Sequence, residues 1–200
     1  IDLSVTVGGD FYSLHSGYAA AIKASMLGRP ADQAAALKGT AIDREKAYQL
    51  MIESVRTVAD YAAPKGKSLY LENNVISPVY LEKVPVNPLL MTSADEIVRF
   101  MKDVDRPNVG FLIDFGHTKV SGTALGFDPL RFMEQVSPYV RALHISDNDG
   151  REDQNLPFTT DAWFYPLLKD FRRLPMVIEA YELDDATLRG QLDLLQKAVA

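Results

Sequence analysis

The 200-residue chain contains no cysteine. That removes disulfides, thiolate nucleophiles and every cysteine-ligated zinc or iron–sulfur centre. No apolar run approaches the roughly 20 residues that cross a bilayer, and no signal peptide opens the chain. Cationic excess is missing as well: 21 Lys and Arg stand against 27 Asp and Glu, a formal net charge of −6. With a pI near 5.1, the chain lacks the basic face that a phosphate-backbone binder needs. Glycine-rich phosphate loops are also absent, since no G-x-G-x-x-G or P-loop occurs and residues 7–10 (VGGD) are too short to supply one. With 47% hydrophobic and 24% charged residues, the chain can build a sizeable core, so one soluble, cytoplasmic domain over residues 1–200 is expected. Its chemistry must rest on Asp, Glu, Lys, Arg and three His.

Short β-branched or aromatic runs alternate with stretches of helical period. Residues 68–72 (SLYLE), 110–114 (GFLID), 141–146 (RALHIS) and 176–179 (MVIE) are nearly continuous in apolar character, as in strands buried on both faces of a parallel sheet. A further strand is expected at 3–7 or 11–15, beside the Gly8–Gly9 interruption. Between them, 45–62 carries an apolar stripe (Tyr48, Met51, Ile52, Val55, Val58, Ala59, Ala62) with Asp43 placed to start it. Ser93 and Glu96 have capping-box spacing ahead of Ile97, Val98, Met101 and Val104. Asp128 and Pro129 open a helix with Leu130, Met133 and Val136. Asp184 or Asp185 precedes a last helix with Leu188, Leu192 and Leu195. This alternation predicts an α/β protein with a parallel sheet. Without a phosphate loop, a barrel that places functional groups at the ends of several strands fits better than an open doubly wound sheet.

Four of the expected strands end in a metal-type ligand: Glu72, Asp114, His144 and Glu179. They lie 42, 30 and 35 residues apart in sequence, against roughly 30 residues per strand–helix unit of a barrel. Neighbouring units would therefore present them to one point, with the last gap also holding one short or irregular strand. Three carboxylates and one imidazole form a hard, oxygen-rich set that suits Mn²⁺ or Mg²⁺, with Zn²⁺ or Co²⁺ also compatible. Converging carboxylates repel one another, and a divalent cation resolves that conflict. Taken singly, each acid reads equally as a turn former or helix cap and the histidine as a rim residue.

The segments LYLENN, LIDFGH, ALHISDNDG and MVIEAY resemble the xylose isomerase-like barrel superfamily, in its sugar phosphate isomerase/epimerase branch, related to ketose 3-epimerases and apurinic endonucleases. The similarity runs over about residues 11–182, and its most specific parts are the D-x-x-H of Asp114 and His117 and the H-x-x-D of His144 and Asp147. The resemblance implies a (β/α)8 TIM-barrel fold with Glu72, Asp114, His144 and Glu179 as metal ligands. It implies a contact from His117 to substrate or to a second metal, and a substrate contact from His15 in LHSGY, which matches a turn after the third strand. It also implies a metal-dependent isomerase or epimerase of a small sugar or sugar phosphate. Glu72 and Glu179 would move a proton alpha to a carbonyl through an enediolate. A lyase or dehydratase on a sugar acid or polyol, or a non-catalytic ligand-binding barrel, are the alternatives. Arg151 is a candidate for a substrate hydroxyl or phosphate, or a solvated loop arginine; Lys119 is ambiguous in the same way, and Asn73 and Asn74 read as loop polar groups. The partner expected is a small carbohydrate, with no nucleic acid and no membrane, and a homo-oligomer is compatible.

Two departures from the family pattern stand out. Where relatives read D-x-H-x-P-x-G, this chain has Asp153, Asn155, Pro157 and Thr159; Asn155 replaces an imidazole and puts a second or third metal in doubt. If His15 closes the third strand, the first strand–helix units are lacking and about six remain, so an N-terminally incomplete barrel with open strand edges is expected. Phe11, Tyr12, Phe115, Trp163, Phe164 and Tyr181 fall near strand ends or the following loops, the tryptophan in a lid-like one, and each is a sugar-stacking candidate or a core residue.

Overall fold

The structure, a computed structural model, describes residues 1–20, 22–26, 30–37 and 42–200. Five parallel strands form a single sheet in sequential order: β1 (Phe11–His15), β2 (Ser68–Glu72), β3 (Val109–Asp114), β4 (Val140–Ile145) and β5 (Met176–Ile178). Parallel neighbours require crossovers, supplied by α3 (Arg44–Ala62), α5 (Ala94–Val104) and α7 (Pro129–Val136). α6 (Phe115–Leu125) starts directly after β3. Shorter helices α1 (Asp2–Val7), α2 (Pro30–Leu37) and α4 (Pro78–Lys83) and a last helix α8 (Asp185–Val199) complete the described elements. This is an α/β, TIM-barrel-like half-barrel.

The strand count corrects one expectation. β4 pairs directly with β5, so among the described residues no strand fills the gap between His144 and Glu179, and five strands replace the six expected units. The chain between them instead forms an isolated antiparallel bridge, Asp147 with Leu156, and a 3-10 helix at Tyr165–Phe171. Phe158, Phe164 and Leu168 from that stretch are buried in the core, so packing fixes it without a ladder. A second correction concerns residues 3–7, which are helical. Gly8 ends that helix at φ 75 and its N–H caps the Ser4 and Val5 carbonyls, a left-handed closure that glycine adopts freely; the edge strand is Phe11–His15.

The helices bury the expected stripes with some exceptions. In α3, Tyr48, Met51, Ile52, Val55, Ala59 and Ala62 are buried and Asp43 accepts the Lys46 N–H as a cap. Val58 is exposed, because it sits about 100° around the helix from Ala59. Asp128 and Asp184 cap α7 and α8 as expected. The Ser93–Glu96 capping box does not form: Ser93 makes no side-chain cap, while Glu96 takes the Met91 N–H at 2.6 Å and the Arg44 guanidinium at 2.8 Å. A charged, half-buried partner outcompetes one exposed amide for that carboxylate. Leu130, Leu188 and Leu192 face solvent. β3 is the centre of the sheet and all six of its residues are buried. Among the described residues, no helix is long and apolar enough to cross a membrane.

Candidate metal centre

Strand register places the four acids and bases on one face. His15 pairs with Glu72, and Glu72 pairs with Leu112, two residues before Asp114. Asp114 pairs with His144. His144 pairs with Val177, two residues before Glu179. Because side chains alternate along a strand, an offset of two keeps the same face. All five therefore share one face at the C-terminal ends of the strands.

The ligand atoms of Glu72, Asp114, His144 and Glu179 all lie within 4.8 Å of one another. His144 Nδ1 stands 2.6 Å from Glu179 Oε2, 3.2 Å from Glu72 Oε1 and 3.9 Å from Asp114 Oδ2. Yet these same four atoms are buried and without a hydrogen-bond partner, so even the shortest contact is not made along an N–H direction. Buried polar atoms are rarely left unpaired. Four converging on one point, three of them carboxylate oxygens, form a cluster consistent with a divalent cation site, the chemistry of the set being hard and oxygen-rich.

The charges of the cluster are in tension with one another and with their burial. Burial raises the Asp114 carboxyl to about 7, despite the neighbouring His117 that lowers it. Burial pulls the His144 imidazole down, but Glu179 and Glu72 outweigh it and hold it at about 10. Glu179 is lowered chiefly by His144. Asp114 is a helix cap and a member of the cluster at once. Oδ1 accepts the His117 N–H at 2.7 Å and starts α6, while Oδ2 is the unpaired atom of the cluster.

His15 and His117 form a second group with Glu72, again within 4.8 Å. His15 is largely exposed, its Nδ1 3.8 Å from Glu72 Oε2. His117 is buried and engaged on both sides. Nδ1 lies 2.8 Å from the Asn73 carbonyl, an acceptor only, which assigns a proton to Nδ1; Nε2 lies 3.3 Å from Asp153 Oδ2. Burial would lower this imidazole, but Asp114 and Asp153 outweigh it and raise it to about 10, which favours the form with both N–H groups facing protein acceptors.

The structure places the remaining candidates elsewhere. The exposed Arg151 guanidinium stands 3.8 Å from Glu82. Lys119 pairs with Asp147 at 2.7 Å and with the Asn148 carbonyl. Phe115 and Phe164 are fully buried and stacked at 4.7 Å, with Trp163 edge-on to Phe115 at 5.4 Å; they belong to the core and its margin. Phe11 stacks on Tyr70 at 4.5 Å, and Tyr12 and Tyr181 are exposed.

Two residues of the site carried weaker signals. Asn73 is a buried strap: its Oδ1 accepts the Asp114 N–H at 2.8 Å and its Nδ2 donates to the Asp114 carbonyl at 3.1 Å. Its one sequence signal is its place directly after Glu72. Asp153 reaches His117 from a loop, and only its spacing to Asn155 and Pro157 marks it.

A family model described as a xylose isomerase-like TIM barrel matches residues 1–197. A D-tagatose 3-epimerase-like protein superposes over 100% of this chain and 68% of its own, with a TM-score of 0.66 at 17% identity. A putative xylose isomerase from Rhodospirillum rubrum ATCC 11170 aligns over 99% of this chain and 64% of its own, with a TM-score of 0.66 at 23% identity. A xylose isomerase-like TIM barrel protein from Mycobacterium smegmatis in complex with magnesium covers 100% of this chain and 65% of its own, with a TM-score of 0.62 at 20% identity. The chain thus spans about two thirds of the length of these structures, and the likeness is one of fold. No curated protein matches the chain in sequence.

Proposed function

The chain belongs to the xylose isomerase-like TIM-barrel family, and we propose that it is a divalent-metal-dependent isomerase or epimerase of a small sugar. The observation that carries this reading is the set of four buried, unpartnered ligand atoms on Glu72, Asp114, His144 and Glu179. Those four residues would hold Mn²⁺ or Mg²⁺. The ion supplies positive charge to the oxygens of a carbonyl and its neighbouring hydroxyl as negative charge develops there.

The remaining work falls to the chain. Glu72 and Glu179 are the two glutamates of the cluster, and each has a second oxygen besides the one aimed inward. One removes the proton alpha to the carbonyl and the other returns it, on the opposite face in an epimerase. His117 is held by the Asn73 carbonyl and Asp153 and packs beside Glu72 rather than touching substrate, because both its nitrogens already face protein acceptors. His15, open to solvent beside Glu72, is the imidazole available to a sugar hydroxyl. Arg151 has no part in this reading, its guanidinium lying with Glu82.

Solvent-exchange labelling tests the reading. In deuterated water with Mn²⁺, the protein should place deuterium at the carbon alpha to the carbonyl of a ketose, and Glu72→Gln or Glu179→Gln should abolish it. Absence of metal binding at neutral pH, or exchange that survives both substitutions, overturns it.

A further inference from the structure

One imidazole away from the four-residue cluster lies a second set of unsatisfied groups. Asn155 is 7% exposed, and its Oδ1 is buried without a partner, as is Asp153 Oδ1. The two side chains touch, Asn155 Nδ2 standing 3.5 Å from Asp153 Oδ2, and that same oxygen lies 3.3 Å from His117 Nε2. The orientation of the amide follows from this contact. A carboxylate oxygen only accepts, so the NH₂ group must face Asp153 and the carbonyl oxygen is left over. The pair therefore offers two buried, unpartnered acceptors, one of them on a carboxylate.

The backbone holds these acceptors in place. Asn155 has φ 48, a left-handed conformation in which asparagine is among the favoured non-glycine residues. Its carbonyl accepts the Tyr181 N–H at 3.0 Å, tying it to the segment that carries Glu179. Leu156, its neighbour, exchanges two hydrogen bonds of 2.8 Å with Asp147.

We infer that Asp153 and Asn155 form a hydroxyl-recognising subsite, so that the substrate presents a neutral, hydroxyl-bearing carbon there rather than a phosphate. Two adjacent acceptors match two hydroxyl donors, the chemistry of a vicinal diol. A phosphate would bring acceptor oxygens and negative charge against the Asp153 carboxylate and the Asn155 amide oxygen, leaving both of those acceptors unpaired. This rests on the proposed sugar chemistry of the adjacent cluster and narrows it to substrates unphosphorylated at this end.

Calorimetric titration of the Mn²⁺-loaded protein with ketopentoses, ketohexoses and their terminal phosphates tests it, with metal content measured on the same samples. The wild type should bind the free sugar roughly tenfold or more tightly than its phosphate. Asn155→Leu should weaken sugar binding roughly 10- to 100-fold at unchanged metal stoichiometry. Asp153→Asn, which removes the charge but keeps the shape, should narrow the gap between sugar and phosphate. Tighter binding of the phosphate, or sugar affinity unchanged in a folded Asn155→Leu protein, overturns the subsite alone. Loss of metal from that variant also overturns it, since Asn155 would then act through the metal centre. Failure of every sugar to bind the metal-loaded wild type overturns the sugar chemistry and the subsite together. The wild-type sugar-to-phosphate comparison stands even if a variant does not fold.

Discussion

Replacing Asp114 by Asn should stabilise the protein without metal and shrink the stabilisation that metal gives it. Asn keeps an oxygen for the His117 N–H that Asp114 Oδ1 now accepts at 2.7 Å, and it has nearly the same shape. What it removes is the charge on a fully buried side chain. Burial raises this carboxyl from 3.8 to about 7, which corresponds to ~4 kcal/mol against the ionised form. The folded value lies above the unfolded one. The stability it contributes is thus complete below about pH 3.8 and is lost as pH rises through about 7. At about pH 8 the metal-free variant should therefore exceed wild type by up to ~4 kcal/mol, a melting difference of roughly 8–16 °C for a chain of this size. At about pH 5 the gap should shrink to less than half.

Metal narrows the gap. At a metal concentration 1,000 times its Kd, wild type gains about 4 kcal/mol. The variant lacks one of four ligand atoms, and losing even an outer-shell partner of a ligand weakens binding about 10- to 100-fold. Its gain should be smaller by at least ~1.4–2.8 kcal/mol, or roughly 3–11 °C. Circular-dichroism melts of both proteins at the two pH values, with EDTA or with saturating MnCl₂, read all of this directly. A variant that melts below wild type in EDTA at pH 8, and responds to Mn²⁺ as wild type does, would refute the reasoning.

Three more substitutions probe the support of the site. Asn73→Ala leaves the buried Asp114 N–H without its 2.8 Å acceptor, so stability should fall by about 1–3 kcal/mol and Mn²⁺ affinity about 10- to 100-fold, measured by melting and by competition with a metal-sensitive dye. Gly116→Ala puts a methyl 2.7 Å from Ser146 Oγ and 3.2 Å from Asp114 Oδ1. It should destabilise by about 1–3 kcal/mol and weaken metal binding by the same assay. Phe111→Ala, at the fully buried centre of the sheet, should cost about 3–5 kcal/mol in urea unfolding, while the folded fraction keeps its metal Kd.

Much of this arrangement was legible because strand burial and strand ends write themselves into the sequence. An apolar run closed by an acid or a histidine marks β2, β3 and β4 and the ligand at each end. The parts that escaped depend on partners far along the chain. Glu96 has capping-box spacing, but Arg44, 52 residues away, takes its carboxylate. Residues 3–7 alternate as a strand would, but the left-handed Gly8 closes them as a helix. Asp153 joins the site through His117, 36 positions earlier, and no local pattern encodes that contact. Leu188 and Leu192 kept helical spacing and still face solvent, while Leu194 and Leu195 pack on the core.

The sheet order explains how five strands bring the four residues of the cluster together. The four proposed ligands come from β2, β3, β4 and the residue after β5, four consecutive neighbours with no strand skipped. Register offsets of zero or two residues keep them on one face. Each ligand is thus positioned by ladders to the strands beside it, not by closure of the barrel around it. The two edges, by contrast, carry the exposed side chains Tyr12 and Val177, and His15, on the edge strand, is the most exposed member of the second group. Within the second group, exposure therefore rises toward β1. Metal binding should depend on the β2–β5 ladders, while contacts made through His15 depend on whatever lies beside β1.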